Sequence, residues 1–481
     1  MELHLETAGE SHGPMLTAVL AGIPAGSPVT EQYINARLKA RQGGAGASPR
    51  QKTEKDEVEF TAGVRDGKAT GNPIALHVRN RDQTYKHLPP VHAPRPGHAD
   101  LAGAMNRGLT DARDILERSS ARETAARVAG GAIAAECLEA LGIHVIGHVV
   151  SVGGIDVHAD VGDDIAAART RRDASDLHAL GDEATQAEVV QRIAEAKTAG
   201  DTLGGVIEVV VHGAPPGLGG HERPETKLST GLGAAVMGIQ AVKGVEIGLG
   251  FRGTAIPGSE LHDVILPGAD GDVPVRGGNT AGGVEGGMSN GQPIVVRAAM
   301  KALATVRNAL PSVDLTTGEA APARVERSDV TAVPRLAIVA EAVVALEILR
   351  QVRRRFGGAH IDEVKAPSHF TASGRRRSWG AARPTIPYPD GMPCLVALFA
   401  LVAPRLVIIL LVIFSDYIGD AYDGNFIPFL GFLFMPLTTL AYAYAQHGGG
   451  LEGFRLVLFV IAVLMDLGII GNADKERRKR S

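Results

Sequence analysis

Residues 335–356 read RLAIVAEAVVALEILRQVRRRF, and apolar side chains recur in them every three or four positions. This spacing predicts one long helix with an apolar stripe. The stripe consists of Ile338, Val339, Ala342, Val343, Leu346, Leu349 and Val352. The arginines at positions 353–355 suit the negative pole of the helix dipole, and Gly357 follows them. We therefore expect this helix to end near Phe356.

The segments before this helix predict a further helix and strands. Apolar side chains recur at helical spacing from about Ala121 to Leu141, and Gly142 supplies a natural end. Runs of β-branched residues at positions 206–211 and 293–296 predict strands. We interpret the chain up to about residue 365 as a mixed α/β enzyme.

Composition and charge exclude some classes of protein. The 481 residues include 49 basic and 53 acidic side chains, so no global field attracts nucleic acid. Cys137 and Cys394 lie far apart and give neither a disulfide framework nor a metal cluster. The first 14 residues lack the basic and apolar regions of a secretory signal. We expect a cytoplasmic catalytic part.

Aromatic residues divide the chain in two. Four of the 12 phenylalanines precede residue 391, and the other eight follow it. We predict a catalytic domain over residues 1–365, a Pro/Arg-rich linker over 366–391 and a hydrophobic tail over 392–481.

The tail contains three apolar stretches. The first, residues 393–414, carries one charge, at Arg405, and the second, residues 426–445, carries none. The third, residues 456–470, is shorter and contains Asp466. A membrane-spanning helix needs roughly 20 apolar residues, so the first two stretches are predicted transmembrane helices and the third is marginal. Basic residues at both ends of the tail favour two crossings. A second soluble domain with buried helices is the alternative.

Six motifs before residue 365 contain histidines, cations or glycine-rich turns. They are GESHGP at residues 9–14, RPGHAD at 95–100, ERSSARET at 117–124, QAVKGVE at 240–246, GGVEGGMSNG at 282–291, and KALAT at 301–305 with RSD at 327–329. Two histidines in one pocket could donate protons to a leaving group or hold a charged cofactor. Each motif alone also fits an ordinary turn, helix cap or salt bridge. Together they predict a pocket for a phosphorylated, polyanionic substrate and a phosphate-bearing cofactor.

These motifs, with GNPI at residues 71–74, DTLGGV at 201–206 and PSVDL at 311–315, resemble the signature set of the chorismate synthase family. The resemblance covers nearly all of residues 1–365. It implies a carbon–oxygen lyase of the shikimate pathway, which makes chorismate and phosphate from 5-enolpyruvylshikimate 3-phosphate by 1,4-anti-elimination. It implies reduced FMN as cofactor without net redox change, and NADPH as reductant if the protein reduces its own flavin. The implied fold is an α/β (α+β) sandwich of antiparallel sheets and helices, and the implied assembly is a homotetramer.

The resemblance also implies roles for individual residues. His12 would protonate the departing phosphate, and His98 would lie beside the N1/O2 edge of the flavin. Asp329 would act with flavin N5 in removing the ring proton. Contacts with FMN are implied for Arg118, Ser119, Ser120, Gln240, Ala241, Gly286, Lys301, Ala302, Leu303, Ala304, Thr305 and Arg327.

Substrate contacts are implied for two early arginines, Arg41 and Arg50. Ala47 stands where the family usually has a third arginine. Losing a charge-assisted contact of this kind typically costs about 1.5–3 kcal/mol of binding free energy.

Two other functions stay open. The main alternative is an NADPH-linked flavoprotein oxidoreductase, for which a dinucleotide-binding domain is unsupported because no Gly-x-Gly-x-x-Gly motif opens a strand–helix unit. A degenerate domain that serves as a partner on a membrane anchor would not need His12, His98 and Asp329, yet all three are present. From Met392 the tail resembles a small uncharacterised bacterial membrane protein, which indicates a gene fusion or two joined reading frames.

Overall fold

The computed structural model describes residues 2–47, 54–268, 274–326, 329–365, 405, 408–409, 412, 421, 426–447 and 454–467. The chain divides into two compact units, Met1–Arg376 and Arg377–Ser481. The predicted linker, residues 366–391, lies outside the described residues, as does most of the first apolar stretch of the tail.

The elements of the first unit alternate along the chain. The strands are β1 (His4–Ala8), β2 (Met15–Ala21), β3 (Val58–Ala62), β4 (Val64–Arg65), β5 (Lys68–Ala69), β6 (Ile74–Arg79), β7 (His144–Val152), β8 (Ile155–Asp156), β9 (Gly205–His212), β10 (Val242–Ile247), β11 (Ile265–Leu266), β12 (Val275–Arg276), β13 (Val284–Glu285), β14 (Met288–Ser289), β15 (Ile294–Met300), β16 (Pro311–Val313) and β17 (Ala320–Pro322). The helices are α1 (Glu31–Gln42), α2 (Asp100–Arg107), α3 (Arg113–Arg118), α4 (Thr124–Ala140), α5 (Ile165–Ala174), α6 (Glu183–Ala199), α7 (Leu228–Met237), α8 (Gly258–Leu261), α9 (Val333–Phe356) and α10 (Ile361–Lys365). The two predicted helices are confirmed as α4 and α9. The predicted strand over 206–211 lies in β9, and that over 293–296 overlaps β15, which begins one residue later and extends to Met300.

Two antiparallel sheets dominate this unit. The first has the strand order β1-β2-β6-β3, and the second has the order β10-β15-β9-β7-β8. In the first sheet Leu20 pairs with Leu5 on one side and with Ile74 on the other. In the second, Val209 pairs with Val296 and with Gly147. The chain therefore forms antiparallel sheets combined with helices, as predicted.

Helix α9 lies at the centre of this unit. It packs on α1 and α4 and on strands β7 and β9, while α4 also packs on β2. The predicted apolar stripe is too narrow, because Leu336, Val344 and Ile348 lie outside it and are also buried. Protein surrounds most of the helix, so nearly its whole circumference is buried rather than one face.

Two glycines allow α9 to pack closely on its neighbours. A Cβ on Gly131 of α4 would lie 2.5 Å from the carbonyl oxygen of Ala342. A Cβ on Gly147 of β7 would lie 2.2 Å from the carbonyl oxygen of Ala337. Both distances are far shorter than a real carbon–oxygen contact, so this spacing requires glycine.

Four turns or chain segments of the first unit meet beside the first half of α9. They are the loop between β1 and β2, the turn before α2, the connection between α3 and α4, and the segment after β15. Functional side chains are often carried by loops whose ends are fixed by sheets and helices. We therefore expect the functional site where these four segments meet.

The described part of the second unit contains the short helices α11 (Phe426–Phe434), α12 (Pro436–His447) and α13 (Phe454–Asp466). The prediction of one helix over residues 426–445 is wrong, because the chain breaks before Pro436. Proline lacks a backbone N–H, and its ring clashes with the carbonyl four residues earlier, that of Phe432. Arg405 donates from Nε to this carbonyl at 3.1 Å and from Nη2 to that of Leu433 at 2.8 Å. The one charge of the first apolar stretch thus satisfies the end of α11.

The third stretch is also short and carries a polar contact. Asp466 accepts hydrogen bonds from the backbone N–H of Thr438 at 2.7 Å and from its hydroxyl at 2.8 Å. It therefore caps the start of α12. Within the described ranges, no helix is both long and apolar enough to cross a membrane. The predicted transmembrane helix over residues 426–445 is therefore not supported, whereas most of residues 393–414 lies outside the described ranges.

Candidate functional site

A cavity of about 320 Å³ lies beside the first half of α9. Its charged or titratable side chains come from segments far apart in sequence. They are His12, Arg41, Glu54, Asp82, Arg95, His98, Arg122, Glu326, Asp329 and Arg335. The four arginines are donors that suit anionic groups of a ligand, and four carboxylates in the same cavity offset part of their charge.

The loop between β1 and β2 places His12 in the cavity. Gly9 begins the loop with a φ of +113°, and a Cβ there would lie 2.5 Å from a carbonyl oxygen of β2. At the other end, Asn80 donates from Nδ2 to the carbonyl of Gly13 at 2.8 Å. The backbone N–H of His12 donates to Glu117 at 2.9 Å. The loop is thus tied to the rest of the unit at both ends and at the histidine itself.

The His12 ring lies between two carboxylates. Its Nδ1 lies 2.9 Å from Oε2 of Glu117, and its Nε2 lies 4.0 Å from Asp82. Arg113 holds Glu117 from the other side at 3.4 Å. Burial alone would raise the pKa of Glu117, but the bonds and charges of His12 and Arg113 outweigh burial and lower this pKa. An ionised carboxylate only accepts hydrogen bonds, so Nδ1 of His12 donates to it and Nε2 is left for the cavity.

His98 has a similar partner. Oδ1 of Asp100 lies 2.5 Å from its Nδ1, and Arg95 donates from Nε to Oδ2 of Asp100 at 2.8 Å. Burial would raise the pKa of Asp100, but hydrogen bonds from His98 and Arg95 outweigh it and hold that pKa well below the usual range. Nη2 of Arg95 also lies 3.0 Å from Nδ1 of His98. We assign the Nδ1 proton to the bond with Asp100, because two acceptors would otherwise face each other at 2.5 Å.

Asp329 lies in the cavity just before α9. It forms an ion pair with Arg335 of the first turn of that helix. Nη2 of Arg335 also donates to the carbonyl of Thr331 at 3.2 Å. Nη1 of Arg335 is buried and has no hydrogen-bond partner in the described part of the chain. Leaving a buried cationic donor unsatisfied is costly, so this nitrogen favours an anionic group of a ligand.

Asp56 holds two further arginines of the cavity. Arg41 donates from Nη1 to Oδ2 of Asp56 at 3.3 Å, and Arg122 donates from Nη1 to Oδ1 at 2.5 Å. Burial lowers the pKa of Arg41 to about 10; Asp56 opposes this effect and the charge of Arg122 adds to it. Glu54 is a second carboxylate beside these arginines, with Oε2 4.0 Å from Nη2 of Arg122.

Five of the residues predicted to contact a cofactor line the cavity: Ser120, Gln240, Leu303, Ala304 and Thr305. Nε2 of Gln240 donates to Glu123 at 3.0 Å, while its Oε1 is buried and lacks a partner among the described residues. An N–H group of a ligand would satisfy this oxygen. The hydroxyl of Thr305 accepts from Nη1 of Arg95 at 2.8 Å.

The other predicted cofactor contacts do not line the cavity where the structure describes them. They are Arg118, Ser119, Ala241, Gly286, Lys301 and Ala302. Arg118 donates to the carbonyl of Thr7 at 2.7 Å, Ser119 donates to that of Ile115, and Lys301 donates to that of Gly97. These three side chains therefore bind backbone carbonyls of the protein. Arg50 and Arg327 lie outside the described residues.

Three cavity arginines have no predicted role: Arg95, Arg122 and Arg335. The first two lie inside motifs quoted above, so their charge was the available signal. Arg335 precedes the apolar run LAIVA at residues 336–340, and a buried arginine is uncommon unless it is paired or bound to a ligand. Over the described ranges, no group of three or more His, Cys, Asp or Glu residues is placed to hold a metal ion.

Comparisons with known proteins agree with one another. The family model described as chorismate synthase matches residues 3–352. The chorismate synthase of Desulforamulus reducens is 49% identical over 376 residues, which cover 76% of this chain and 97% of the relative. That of Bifidobacterium animalis subsp. lactis is 47% identical over 386 residues, covering 76% and 96%. A crystal structure of chorismate synthase matches with a TM-score of 0.62 and 37% identity, covering 76% of this chain and 96% of the other.

Proposed function

Because the chain belongs to the chorismate synthase family, its activity is the lyase reaction that gives chorismate and phosphate from 5-enolpyruvylshikimate 3-phosphate, and we propose that His12, His98 and Asp329 carry it out. One observation carries the assignment of residues. The three side chains come from separate segments of the sequence and line one cavity beside α9.

The charges of the cavity suit this substrate. The substrate bears a phosphate and two carboxylates, and each needs a cation or a hydrogen-bond donor when it leaves water. Arg41, Arg95, Arg122 and Arg335 line the cavity. The unpartnered Nη1 of Arg335 is a donor that the described residues leave unsatisfied. We propose that these four arginines bind the anionic groups.

The elimination needs an acid and a base. Breaking the carbon–oxygen bond leaves negative charge on the phosphate, and forming the new double bond requires loss of a ring proton. Nε2 of His12 faces the cavity, so protonated His12 would donate to the departing phosphate. Asp329 would accept the ring proton, and its ion pair with Arg335 holds the carboxylate in place.

We include reduced FMN as the cofactor. The residues that would hold it are Ser120, Gln240, Leu303, Ala304 and Thr305. Oε1 of Gln240, which has no partner among the described residues, suits an N–H of the flavin ring. When bound, reduced FMN supplies electron density as the carbon–oxygen bond breaks, without net redox change.

The test uses the full chain with reduced FMN and the phosphorylated substrate under strict anaerobiosis. Chorismate formation and phosphate release are recorded together. We expect turnover by the wild type, and a loss of kcat of at least about 10²-fold in His12→Ala and in His98→Ala, because each ring would hold a proton that the reaction uses. His221→Ala is the matched control, since this histidine is exposed and lies outside the cavity.

The outcomes separate the assignments. Turnover that persists in both histidine variants would show that these side chains are not the proton donors. FMN binding without any turnover by the wild type would favour the alternative of a degenerate domain that acts as a partner. NADPH oxidation that replaces the added reductant would identify the source of reduced flavin.

We propose that the protein is a homotetramer in the cytoplasm. Exposed apolar side chains support association: Phe251 is 75% exposed and Ile265 is 66% exposed, with Val275 nearby on the strand paired with β11. Light scattering after size-exclusion chromatography should give the mass of four copies. A monomer at micromolar concentration would contradict this assembly.

A further inference from the structure

Two histidines of the cavity share one arrangement. His12 Nδ1 lies 2.9 Å from Glu117, and His98 Nδ1 lies 2.5 Å from Asp100. In both pairs the carboxylate contacts Nδ1, whereas Nε2 of His12 lies 4.0 Å from Asp82 and Nε2 of His98 lies 3.3 Å from Nη2 of Arg95. The two pairs come from unrelated segments, since His12 and Glu117 are 105 residues apart while His98 and Asp100 are two apart.

Each carboxylate is held in place by an arginine and by backbone. Asp100 is fully buried and accepts from Nε of Arg95 at 2.8 Å and from its backbone N–H at 3.1 Å. Glu117 is 1% exposed and accepts from the backbone N–H of His12 at 2.9 Å, with Arg113 at 3.4 Å. Neither carboxylate can turn away from its histidine without breaking these bonds. Their lowered pKa values agree with ionised partners.

An ionised carboxylate at Nδ1 has two effects on a histidine. It accepts the Nδ1 proton, so the second ring nitrogen, Nε2, is the one available to the substrate or cofactor. It also compensates the positive charge of a protonated ring. The cavity also contains four arginines and four carboxylates, and Glu117 and Asp100 are the anions within hydrogen-bond distance of the two rings.

We propose that Glu117 and Asp100 are positioning residues of the lyase reaction, which orient His12 and His98 through Nδ1 and balance the charge of each ring when it is protonated. This inference rests on the proposed function of the two histidines. Arg113 and Arg95 contribute to this positioning, because Arg113 holds Glu117 and Arg95 holds Asp100.

The test compares Glu117→Gln and Asp100→Asn in the full chain with reduced FMN. An amide has nearly the same shape, but it carries no charge and can turn its NH₂ group toward Nδ1, which favours the wrong tautomer. We expect kcat to fall by about 10²-fold in each variant while KM changes by less than about threefold. We also expect the descending limb of the kcat–pH profile to move to lower pH, because the protonated ring loses its counter-charge.

The chain offers a matched control far from this cavity. Glu208 is also a buried carboxylate, which lies 3.2 Å from Nε2 of His148 and accepts from Nε of Arg297 at 2.7 Å on the second sheet. Glu208→Gln should lower stability in a comparable way and leave kcat and the pH profile unchanged. A merely structural role of Glu117 and Asp100 would make all three variants behave alike.

The outcomes distinguish this inference from the proposed function. Unchanged kcat and pH profile in Glu117→Gln and Asp100→Asn, with His12→Ala and His98→Ala inactive, would overturn the positioning role and leave the function intact. Active histidine variants would overturn the proposed function itself. If an amide variant fails to fold, Glu117→Asp and Asp100→Glu keep the charge; they should retain the wild-type pH profile with reduced kcat, and a shifted profile would contradict the role of the charge.

Discussion

Glu341, near the middle of α9, is buried between two buried arginines. Arg172 forms an ion pair with its Oε2, and Nη1 of Arg37 lies 3.3 Å from its Oε1. The backbone N–H of Gly147 also donates to Oε2 at 3.0 Å. The substitution Glu341→Gln keeps the shape of the side chain and removes its charge. It leaves two buried guanidinium groups around a neutral amide.

The size of the effect follows from the pKa of this carboxyl. Burial alone would raise it, but Arg172 and Arg37 outweigh burial and lower the pKa of Glu341 from 4.5 to about 2. At about 1.4 kcal/mol for each pKa unit, this difference corresponds to about 3 kcal/mol of stability. Breaking a buried ion pair by removing one partner costs about 3–5 kcal/mol, because the other charge stays buried. We expect Glu341→Gln to lower the free energy of unfolding by about that amount at pH 7.

The pH dependence has a definite sign. A carboxyl whose pKa is lower in the folded than in the unfolded protein contributes its stability above the unfolded pKa, near 4.5, and loses it as the pH falls toward about 2. The difference between wild type and Glu341→Gln should therefore be complete at pH 7 and begin to narrow below about pH 4.5.

Urea denaturation followed by circular dichroism measures both quantities. Glu139→Gln is the control, because Glu139 is only half-buried and pairs with Arg169 at 2.8 Å at the edge of the same network. We expect it to cost less than about 1 kcal/mol. A Glu341→Gln protein within about 1 kcal/mol of wild type at pH 7, or a gap that stays constant as the pH falls below 4.5, would refute the reasoning.

Three further predictions concern packing, substrate affinity and the tail. Gly131→Ala places a Cβ 2.5 Å from the carbonyl oxygen of Ala342 and should destabilise the protein by about 1–3 kcal/mol, whereas Gly233→Ala in α7, with no atom within 4 Å of its Cβ, should stabilise it by up to about 1 kcal/mol. Thermal unfolding compares the two, and equal effects would contradict the close packing of α4 on α9. Ala47→Arg should lower KM for the phosphorylated substrate by about tenfold or more at similar kcat, because a cation returns to the stretch of sequence between Arg41 and Arg50. Ala47→Gln serves as the neutral control, and an unchanged KM in the arginine variant would show that this position does not face the substrate. Asp466→Ala should weaken the start of α12 by about 1 kcal/mol and speed hydrogen exchange at the Thr438 amide, while unchanged exchange would mean that the cap contributes nothing.

The residues themselves determined the helices α4 and α9 of the catalytic part and the strands β9 and β15, whereas α6, as long as α4, was not predicted. Helical and strand periodicity are local properties, and α4 and α9 show this spacing over several turns. The signature motifs likewise identified His12, His98, Asp329, Ser120 and Gln240 as residues of one cavity. Short motifs can identify a site in this way because binding and catalytic residues often lie on loops that a rigid scaffold holds in place.

In the tail, sequence alone was misleading about the length of the helices. Hydrophobicity over residues 426–445 predicts one span, and Pro436 inside that range is a local signal for a break. The contacts of Arg405 with the carbonyls of Phe432 and Leu433 could not be predicted, because they join residues 27 and 28 positions apart.

Only the tertiary structure decided which charges meet. The pairing of His12 with Glu117, of Arg172 with Glu341 and of Arg41 with Asp56 depends on how sheets and helices pack, and local sequence carries no trace of it. The same holds for the buried circumference of α9, whose apolar stripe predicted a single buried face. Periodicity reports the conformation of a segment, whereas ion pairs and burial depend on segments that are distant in the chain, so they appear only when the chain has folded.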